Sequence, residues 1–273
     1  MINKIRNSVK ELQPLIHCIT NPISINQCAN VILAVGARPI MAEHPKEVEE
    51  ITKTAKALLL NLGNITEVRM ESILLSAKIA KECHIPIILD IVGVACSKLR
   101  RDFTCKLISE ISPTVIKGNY SEINALYNVA YHSSGVDADM SLSVDFITTL
   151  SVELARKNDT IILASGKIDI VTDGKQIVFI KNGSPKLSMV TGTGCMLGAL
   201  CACYLSVNQE LMAVVTACIV LGISGELSET EKGLGSFFIN LIDKISTVTE
   251  KEIKKYSCYK IMNVTSGYEE RQI

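Results

Sequence analysis

The 273-residue sequence predicts an α/β layered fold with a largely parallel central sheet. Three features carry that expectation. Short, nearly continuous apolar runs recur along the chain, as in strands covered by helices on both faces. Segments whose apolar residues follow helical spacing separate them. Later, an Asp-Gly pair stands between two more β-rich runs, a strong hairpin signal.

The strands are expected at residues 15–20, 38–41, 57–61, 86–91, 114–117 and 160–165. Residues 72–82 form a helix with Ile73, Leu74, Ala77 and Ala80 on one face. Residues 143–157 repeat the pattern with Phe146, Ile147, Leu150 and Leu154. Strands at 169–172 and 176–180 flank the turn Asp173-Gly174. The C-terminal third reads as mostly helical, over 193–207, 210–228 and 236–249. Its apolar stretch 195–223 is interrupted by Asn208, Gln209 and Glu210. Each half is shorter than the roughly 20 residues of a membrane span, so two buried helices joined by a turn are expected. Residues 131–143 read as a surface loop and 266–273 as a frayed end. No composition break divides the chain, so residues 1–273 are expected to form one domain with its core over about 15–250.

Composition removes several function classes. Hydrophobic residues make up 48% and charged residues 21%, a globular balance that offsets the entropy of ordering. Lysine plus arginine (28) equal aspartate plus glutamate (28), which gives no general attraction to nucleic acid or anionic lipid. Tryptophan is absent and aromatics are 4%, so base-stacking platforms are not expected. The ten cysteines form no Cys-x-x-Cys pair, and most lie in apolar segments where the thiol acts as a small hydrophobe. The first 18 residues lack an apolar core of signal-peptide length, so a reducing, cytoplasmic setting is expected. His17, His44, His84 and His132 show no metal-ligand spacing. Neither a Gly-x-x-x-x-Gly-Lys-Ser/Thr loop nor an early Gly-x-Gly-x-x-Gly is present.

Chemistry could sit in four places. Thr191-Gly192-Thr193-Gly194-Cys195 opens an apolar helix. Its glycines allow close backbone approach, and the helix start offers unpaired N–H groups to an anion such as a phosphoryl group. The same glycines could simply let the helix pack on the sheet. Asn119-Tyr120-Ser121-Glu122 follows a strand, where open α/β sheets place ligands. Glu122 could hold a hydrated Mg²⁺, cap the helix with Asn119, or do both. Asp90 ends an apolar strand and, once buried, needs a cation, hydrogen-bond donors or water. Ser165, before Gly166-Lys167, could offer a hydroxyl to a phosphate or ribose, or belong to a plain turn.

In their order, these pieces resemble the hydroxyethylthiazole kinases of thiamine salvage, in the ribokinase-like superfamily. The resemblance rests on Ile19-Thr20-Asn21-Pro22 with Asn26, Ala29 and Asn30, and on Gly36-Ala37-Arg38-Pro39-Ile40-Met41-Ala42. The Asp90 loop, Lys117-Gly118-Asn119 with Glu122, and Gly135-Val136-Asp137 follow. Ser165-Gly166, Thr191 to Cys195, and Gly233-Leu234-Gly235-Ser236-Phe237 complete the pattern. Each motif is weak alone; their joint order over about residues 15–245 is specific. The resemblance implies a ribokinase-like three-layer fold and a homotrimer with active sites at subunit interfaces. It implies transfer of the ATP γ-phosphoryl group, with Mg²⁺, to the hydroxyl of 4-methyl-5-(2-hydroxyethyl)thiazole. By carry-over, Met41, Asn21 and Gly192 would bind the thiazole, and Lys117, Ser165 and Asn119 the ATP. Asp90 and Glu122 would serve the metal. Cys195 would take the catalytic position with Gly192, Thr193 and Gly194, its thiol made more acidic by the helix start. Other readings are a ribokinase-like kinase for hydroxymethylpyrimidine or a small alcohol, and a catalytically weak regulator that binds nucleotide or thiazole. The chain departs from the family pattern at Ile91 (usually proline), Ala95, Cys96, Ser165 (usually threonine), Pro22 and Ile25.

Overall fold

The computed structural model describes residues 1–128, 130–131, 133 and 142–264. Gly135-Val136-Asp137, His132 and the end at 266–273 lie outside the described residues. The chain runs α1 (Ile2–Leu12), β1 (Leu15–Ile19), α2 (Ile25–Ala34), β2 (Arg38–Ile40), α3 (Val48–Thr54), β3 (Ala57–Asn61) and α4 (Glu67–Glu82). It continues through β4 (Ile87–Asp90), α5 (Lys98–Ile111), β5 (Val115–Asn119), α6 (Tyr120–Tyr127), α7 (Val144–Asn158) and β6 (Ile161–Ser165). The hairpin β7 (Asp169–Thr172) and β8 (Gln176–Ile180) leads through a 3-10 turn, Pro185–Met189, to α8 (Thr193–Leu205). Then come α9 (Leu211–Leu227), α10 (Leu234–Thr247), α11 (Glu250–Tyr256) and β9 (Tyr259–Asn263).

Among the described residues, nine strands form one sheet in the order β2-β1-β3-β4-β5-β6-β7-β8-β9. β2 through β6 are parallel neighbours, and β7, β8 and β9 are added antiparallel. Strand residues alternate between two cores, as the pleat requires. Leu59, Ile88, Val115 and Leu163 face the layer that contains α8 and α9. Leu58, Leu60, Leu89, Ile116 and Ile162 face the layer of α4, α5 and α7. Both strand faces are covered, so the runs contain no polar stripe. α8 and α9 are apolar all round, and every residue of α8 from Met196 to Leu205 is buried. They form the expected pair of buried helices, and among the described residues no helix is long and apolar enough to cross a membrane.

The hairpin expectation holds in detail. Asp173 Oδ1 accepts from Lys175 N and Gln176 N at 2.8 and 2.7 Å, and Gly174 has φ +81°. Two expectations need correction. Phe146 is exposed, because the buried face of α7 is set by Ile147, Leu150 and Leu154. Leu74 is only partly buried, and α4 starts earlier than expected, where Thr66 Oγ1 caps Arg69 N. The C-terminal third is mostly helical, as expected, and β9 then pairs with β8 along the sheet edge. Cys18, Cys28, Cys201, Cys203 and Cys218 are buried and Cys195 is half-buried, while Cys83, Cys96, Cys105 and Cys258 are exposed.

Candidate active site

Several strands keep their apolar pattern until the residue that ends them on the α8 side. There β3 places Asn61, β4 Asp90, β5 Lys117 and Asn119, and β6 Ser165. The parallel register sets Asn61 beside Asp90, Asp90 beside Lys117, and Asn119 beside Ser165. A polar row therefore crosses the carboxyl edge of the sheet beneath one helix. The row begins where strand order reverses, between β1 and β3, the usual ligand crevice of an open α/β sheet.

The row is bonded throughout. Lys117 Nζ meets Asp90 Oδ1 at 2.9 Å, with both side chains buried. Asn61 Nδ2 donates to Asp90 Oδ2 at 2.9 Å. Asn21, just beyond β1, donates from Nδ2 to Asn61 Oδ1 at 3.0 Å. Its Oδ1 accepts from Ile23 N and Ser24 N, both at 3.1 Å, which shapes the turn into α2. Ile91, at the family's usual proline, donates its amide to Lys117 O at 2.9 Å, extending the β4–β5 ladder by a bond that proline cannot make.

α8 begins directly above this row. Gly192 takes φ +93°, and no side chain caps the helix, so its first amides point outward unclaimed. A Cβ added to Gly194 would meet only Lys117 Nζ, at 3.9 Å; the hydrogen leaves open space between the helix start and the ammonium. One turn on, a Cβ at Gly198 would lie 3.2 Å from Leu59 Cδ1 and 3.4 Å from Asp90 Oδ2. α8 can lie this close to the ion pair because 198 is glycine. Between them, Cys195 Sγ accepts from Asn21 Nδ2 and Asn61 Nδ2, each at 3.3 Å. The Thr193 hydroxyl donates to Leu187 O at 2.6 Å and Val190 O at 3.2 Å, tying down the preceding loop and leaving its amide free of that role.

Glu122 fulfils the capping reading. Asn119 Oδ1 accepts from Glu122 N at 2.9 Å, and Glu122 Oε2 accepts from Asn119 N at 2.8 Å. Its Oε1 accepts from Gly93 N at 2.8 Å, which holds the loop after Asp90. Ser165 Oγ donates to Gly118 O at 3.3 Å, one strand away from Lys117. Met41 lies beyond β2, partly buried against the α8-side core. The next carbonyl, Ala42 O, is bonded by buried His17 Nε2 at 2.9 Å, so His17 is a satisfied core histidine, as its lack of metal spacing suggested.

Charge is unbalanced here. Asp90 and Glu122 are two buried carboxylates against one buried ammonium, Lys117. Burial pushes Glu122 up to about 7, reinforced by Asp90 and opposed by the Gly93 and Asn119 amides and by Lys117. Burial also raises Asp90, against the pull of Lys117 and Asn61. Burial alone would lower Lys117, but Asp90 and its neighbours hold it above the ordinary lysine value. The Cys195 thiol moves up, first through burial and then through Asp90, against Ser24, Lys117 and Asn21. This corrects the expectation that the helix start makes it more acidic: desolvation beside a carboxylate outweighs the helix dipole. Among the described residues, no three His, Cys, Asp or Glu side chains gather into a metal cage. Two buried carboxylates with a deficit of positive charge instead fit a hydrated divalent cation that takes its other ligands from phosphate and water.

The chain as a whole is similar to known proteins. The chain fits the hydroxyethylthiazole kinase family over residues 6–251. It is 48% identical over 257 residues to hydroxyethylthiazole kinase 2 of Clostridium botulinum, covering 92% of this chain and 97% of that one. The chain belongs to the hydroxyethylthiazole kinase family. The solved structure of the hydroxyethylthiazole kinase protein from Pyrococcus horikoshii has a TM-score of 0.88 at 32% identity, covering 96% of this chain and 98% of that one. A ribokinase-like superfamily protein from Enterococcus faecalis shares the fold alone, with a TM-score of 0.65 at 11% identity over 94% of this chain and 95% of that one. The ribokinase-like three-layer expectation is thus borne out, and the chain is an enzyme of the transferase class.

Two members of the site carry no motif of their own, Asn61 and Ser24. Asn61 ends the run Leu58-Leu59-Leu60 as Asp90 ends Ile87-Ile88-Leu89. That parallel is the signal by which the sequence could have pointed to it.

Proposed function

We propose that the protein transfers the γ-phosphoryl group of ATP to the hydroxyl of 4-methyl-5-(2-hydroxyethyl)thiazole, in thiamine salvage. The alcohol oxygen attacks the γ-phosphorus, the bond to the β-phosphate oxygen breaks with ADP as the leaving group, and the hydroxyl proton passes to water or to the transferred phosphoryl oxygens. Such a transfer asks the protein mainly for positioning and charge stabilisation. The carrying observation is the uncapped start of α8, open at Gly194 beside the Lys117 ammonium. The amides of residues 192–195 would meet charge growing on the transferred group. Lys117, Ser165 and Asn119 would hold ATP; Met41, Asn21 and Gly192 would hold the thiazole. Thr193 would serve through its amide, since its hydroxyl is engaged by Leu187 O and Val190 O.

Cys195 would receive the substrate hydroxyl. Its raised pKa keeps it mainly a thiol near neutral pH, so it would orient the alcohol more than strip it. A loose transition state needs little base early, which suits that role. Asp90 and Glu122 would hold Mg²⁺, which when bound supplies charge neutralisation for phosphate oxygens. We further propose one domain over the whole chain, a homotrimer with sites at subunit contacts, and a cytoplasmic setting.

A steady-state assay tests this reading. ATP consumption that depends on the thiazole alcohol, with the phosphate ester identified by mass spectrometry, supports it. Turnover only with a pyrimidine alcohol overturns the substrate, and binding without turnover favours a regulator.

A further inference from the structure

We propose that Asn61 is a positioning residue that fixes the Cys195 sulfur relative to Asp90 and so aims it at the acceptor hydroxyl. This deepens the kinase reading and rests on it for the identity of that hydroxyl.

Asn61 is fully buried at the end of β3 and uses its whole hydrogen-bonding capacity within the site. Of its two amide hydrogens, one goes to Asp90 Oδ2 at 2.9 Å and the other to Cys195 Sγ at 3.3 Å. Its oxygen accepts from Gly63 N at 2.9 Å and Asn21 Nδ2 at 3.0 Å. This orientation is dictated by its partners. Flipping the carboxamide would set NH₂ against the Gly63 amide and oxygen against the Asp90 carboxylate. The group cannot rotate or withdraw without leaving a buried donor or acceptor unpaired, which costs on the order of 1–3 kcal/mol.

Asn21 adds a second N–H to the same sulfur, also at 3.3 Å. Two amide donors, from the end of β3 and the turn after β1, and the Ser24 hydroxyl thus converge on the sulfur. The charged or titratable groups around the sulfur are Asp90 and Lys117 on the sheet and Cys28 on α2. The Asn61 amide is the element that bonds both to the sulfur and to one of those charges. It is therefore the piece that converts two separate strand ends into one fixed geometry.

Two variants separate positioning from mere packing. Asn61→Asp keeps the oxygen for Gly63 and Asn21 but removes the N–H donors; Asn61→Leu removes both without adding charge. Both are checked for folding by thermal melting, then read two ways. In the full-length protein, alkylation of Cys195 by iodoacetamide at pH 8 is followed on its own peptide by mass spectrometry. The expected result is a rate about tenfold lower in both variants, because the reactive thiolate loses a donor. This readout needs no turnover, so it stands even if the thiazole alcohol proves not to be the substrate. In the kinase assay, kcat should fall at least tenfold with KM for ATP within about twofold. The loss should nearly vanish when Asn61→Asp is made in a Cys195→Ala background. Folded variants with wild-type Cys195 alkylation, or a kcat loss that persists undiminished without Cys195, would overturn the proposal. Should Asn61→Leu fail to fold, Asn61→Ala decides, since it removes the donors to the sulfur without setting a new oxygen or charge against the Asp90 carboxylate.

Discussion

Replacing Glu122 by glutamine gives a stability change whose pH dependence follows from the structure. Glu122 is buried and titrates at about 7, against an ordinary value of 4.5. A carboxyl whose folded pKa lies above its unfolded one favours the protonated fold. Its contribution is fully present below pH 4.5 and is lost as pH rises through about 7. A tenfold change in a group's proton affinity on folding corresponds to roughly 1.4 kcal/mol, so by pH 8.5 ionising Glu122 costs the fold about 3 kcal/mol, and at pH 5 less than about 1 kcal/mol. Glutamine does not titrate. It also loses one acceptor for the Gly93 or Asn119 amide, a fixed penalty of about 1–3 kcal/mol. That offset cancels when the same pair of proteins is compared at two pH values. From pH 5 to pH 8.5, Glu122→Gln should therefore gain about 2–3 kcal/mol on the wild type, whatever its starting deficit. Urea unfolding at both pH values, without divalent cations, measures this directly. A stability difference that stays constant with pH would refute the buried, charge-starved picture of this site. Repeating the series with Mg²⁺ should shrink the gain, because a cation at Asp90 and Glu122 lowers the carboxyl pKa. In the kinase assay the variant should also turn over far less at limiting Mg²⁺.

Other substitutions probe the remaining parts. Gly194→Val should fold normally, since its Cβ would meet only Lys117 Nζ at 3.9 Å, yet lose activity at least about 100-fold by filling the amide cradle; an active variant would contradict that cradle. Cys195→Ala should reduce kcat by roughly 10–100-fold, below the full range for a general base. Because the raised thiol stays protonated near neutral pH and orients the alcohol rather than stripping it, the wild-type rate should not rise steeply between pH 7 and pH 8.5; Cys195→Asp should remain active. Ile91→Pro should cost about 1–2 kcal/mol in chemical denaturation by deleting the amide bond to Lys117 O, while leaving kcat close to wild type.

The buried parallel strands are legible in the sequence because helices cover both their faces, so each reads as an unbroken apolar run. The same logic fails at β9. Its residues Tyr259, Lys260 and Ile261 are exposed on an edge strand, so neither alternation nor an apolar run marks it. α1 and α2 are legible in principle, since α1 buries Ile2, Ile5 and Val9 at helical spacing and α2 buries Cys28, Val31 and Ile32. The start of α4 is marked by its cap, Thr66, and not by the apolar spacing, which becomes clear only five residues further on. At the site, Asp90 stands out as a charge inside an apolar strand. Asn61, in the neighbouring register position, resembles an ordinary turn residue. The direction in which the Cys195 pKa moves is beyond the reach of sequence, because it depends on burial and on Asp90, which lies 105 positions away along the chain but faces the same helix start.

The energetic oddity of the site bears on its chemistry. A stable protein has little reason to bury two carboxylates with one lysine, press a glycine of α8 onto the pair, and leave a helix start uncapped above them. Each feature costs stability in the ligand-free protein. A nucleotide phosphate tail with its cation would reverse the first and the third at once: the cation offsets the excess negative charge, and phosphate oxygens satisfy the free amides and lie beside Lys117. The binding free energy then includes relief of a penalty built into the fold, so ligand should stabilise the protein more than the contact area suggests. On these grounds, ATP with Mg²⁺ should raise the melting temperature of the wild type. It should raise that of Glu122→Gln by less, since part of the penalty has already been removed. An equal rise in both proteins would show that the buried carboxylate does not take part in nucleotide binding.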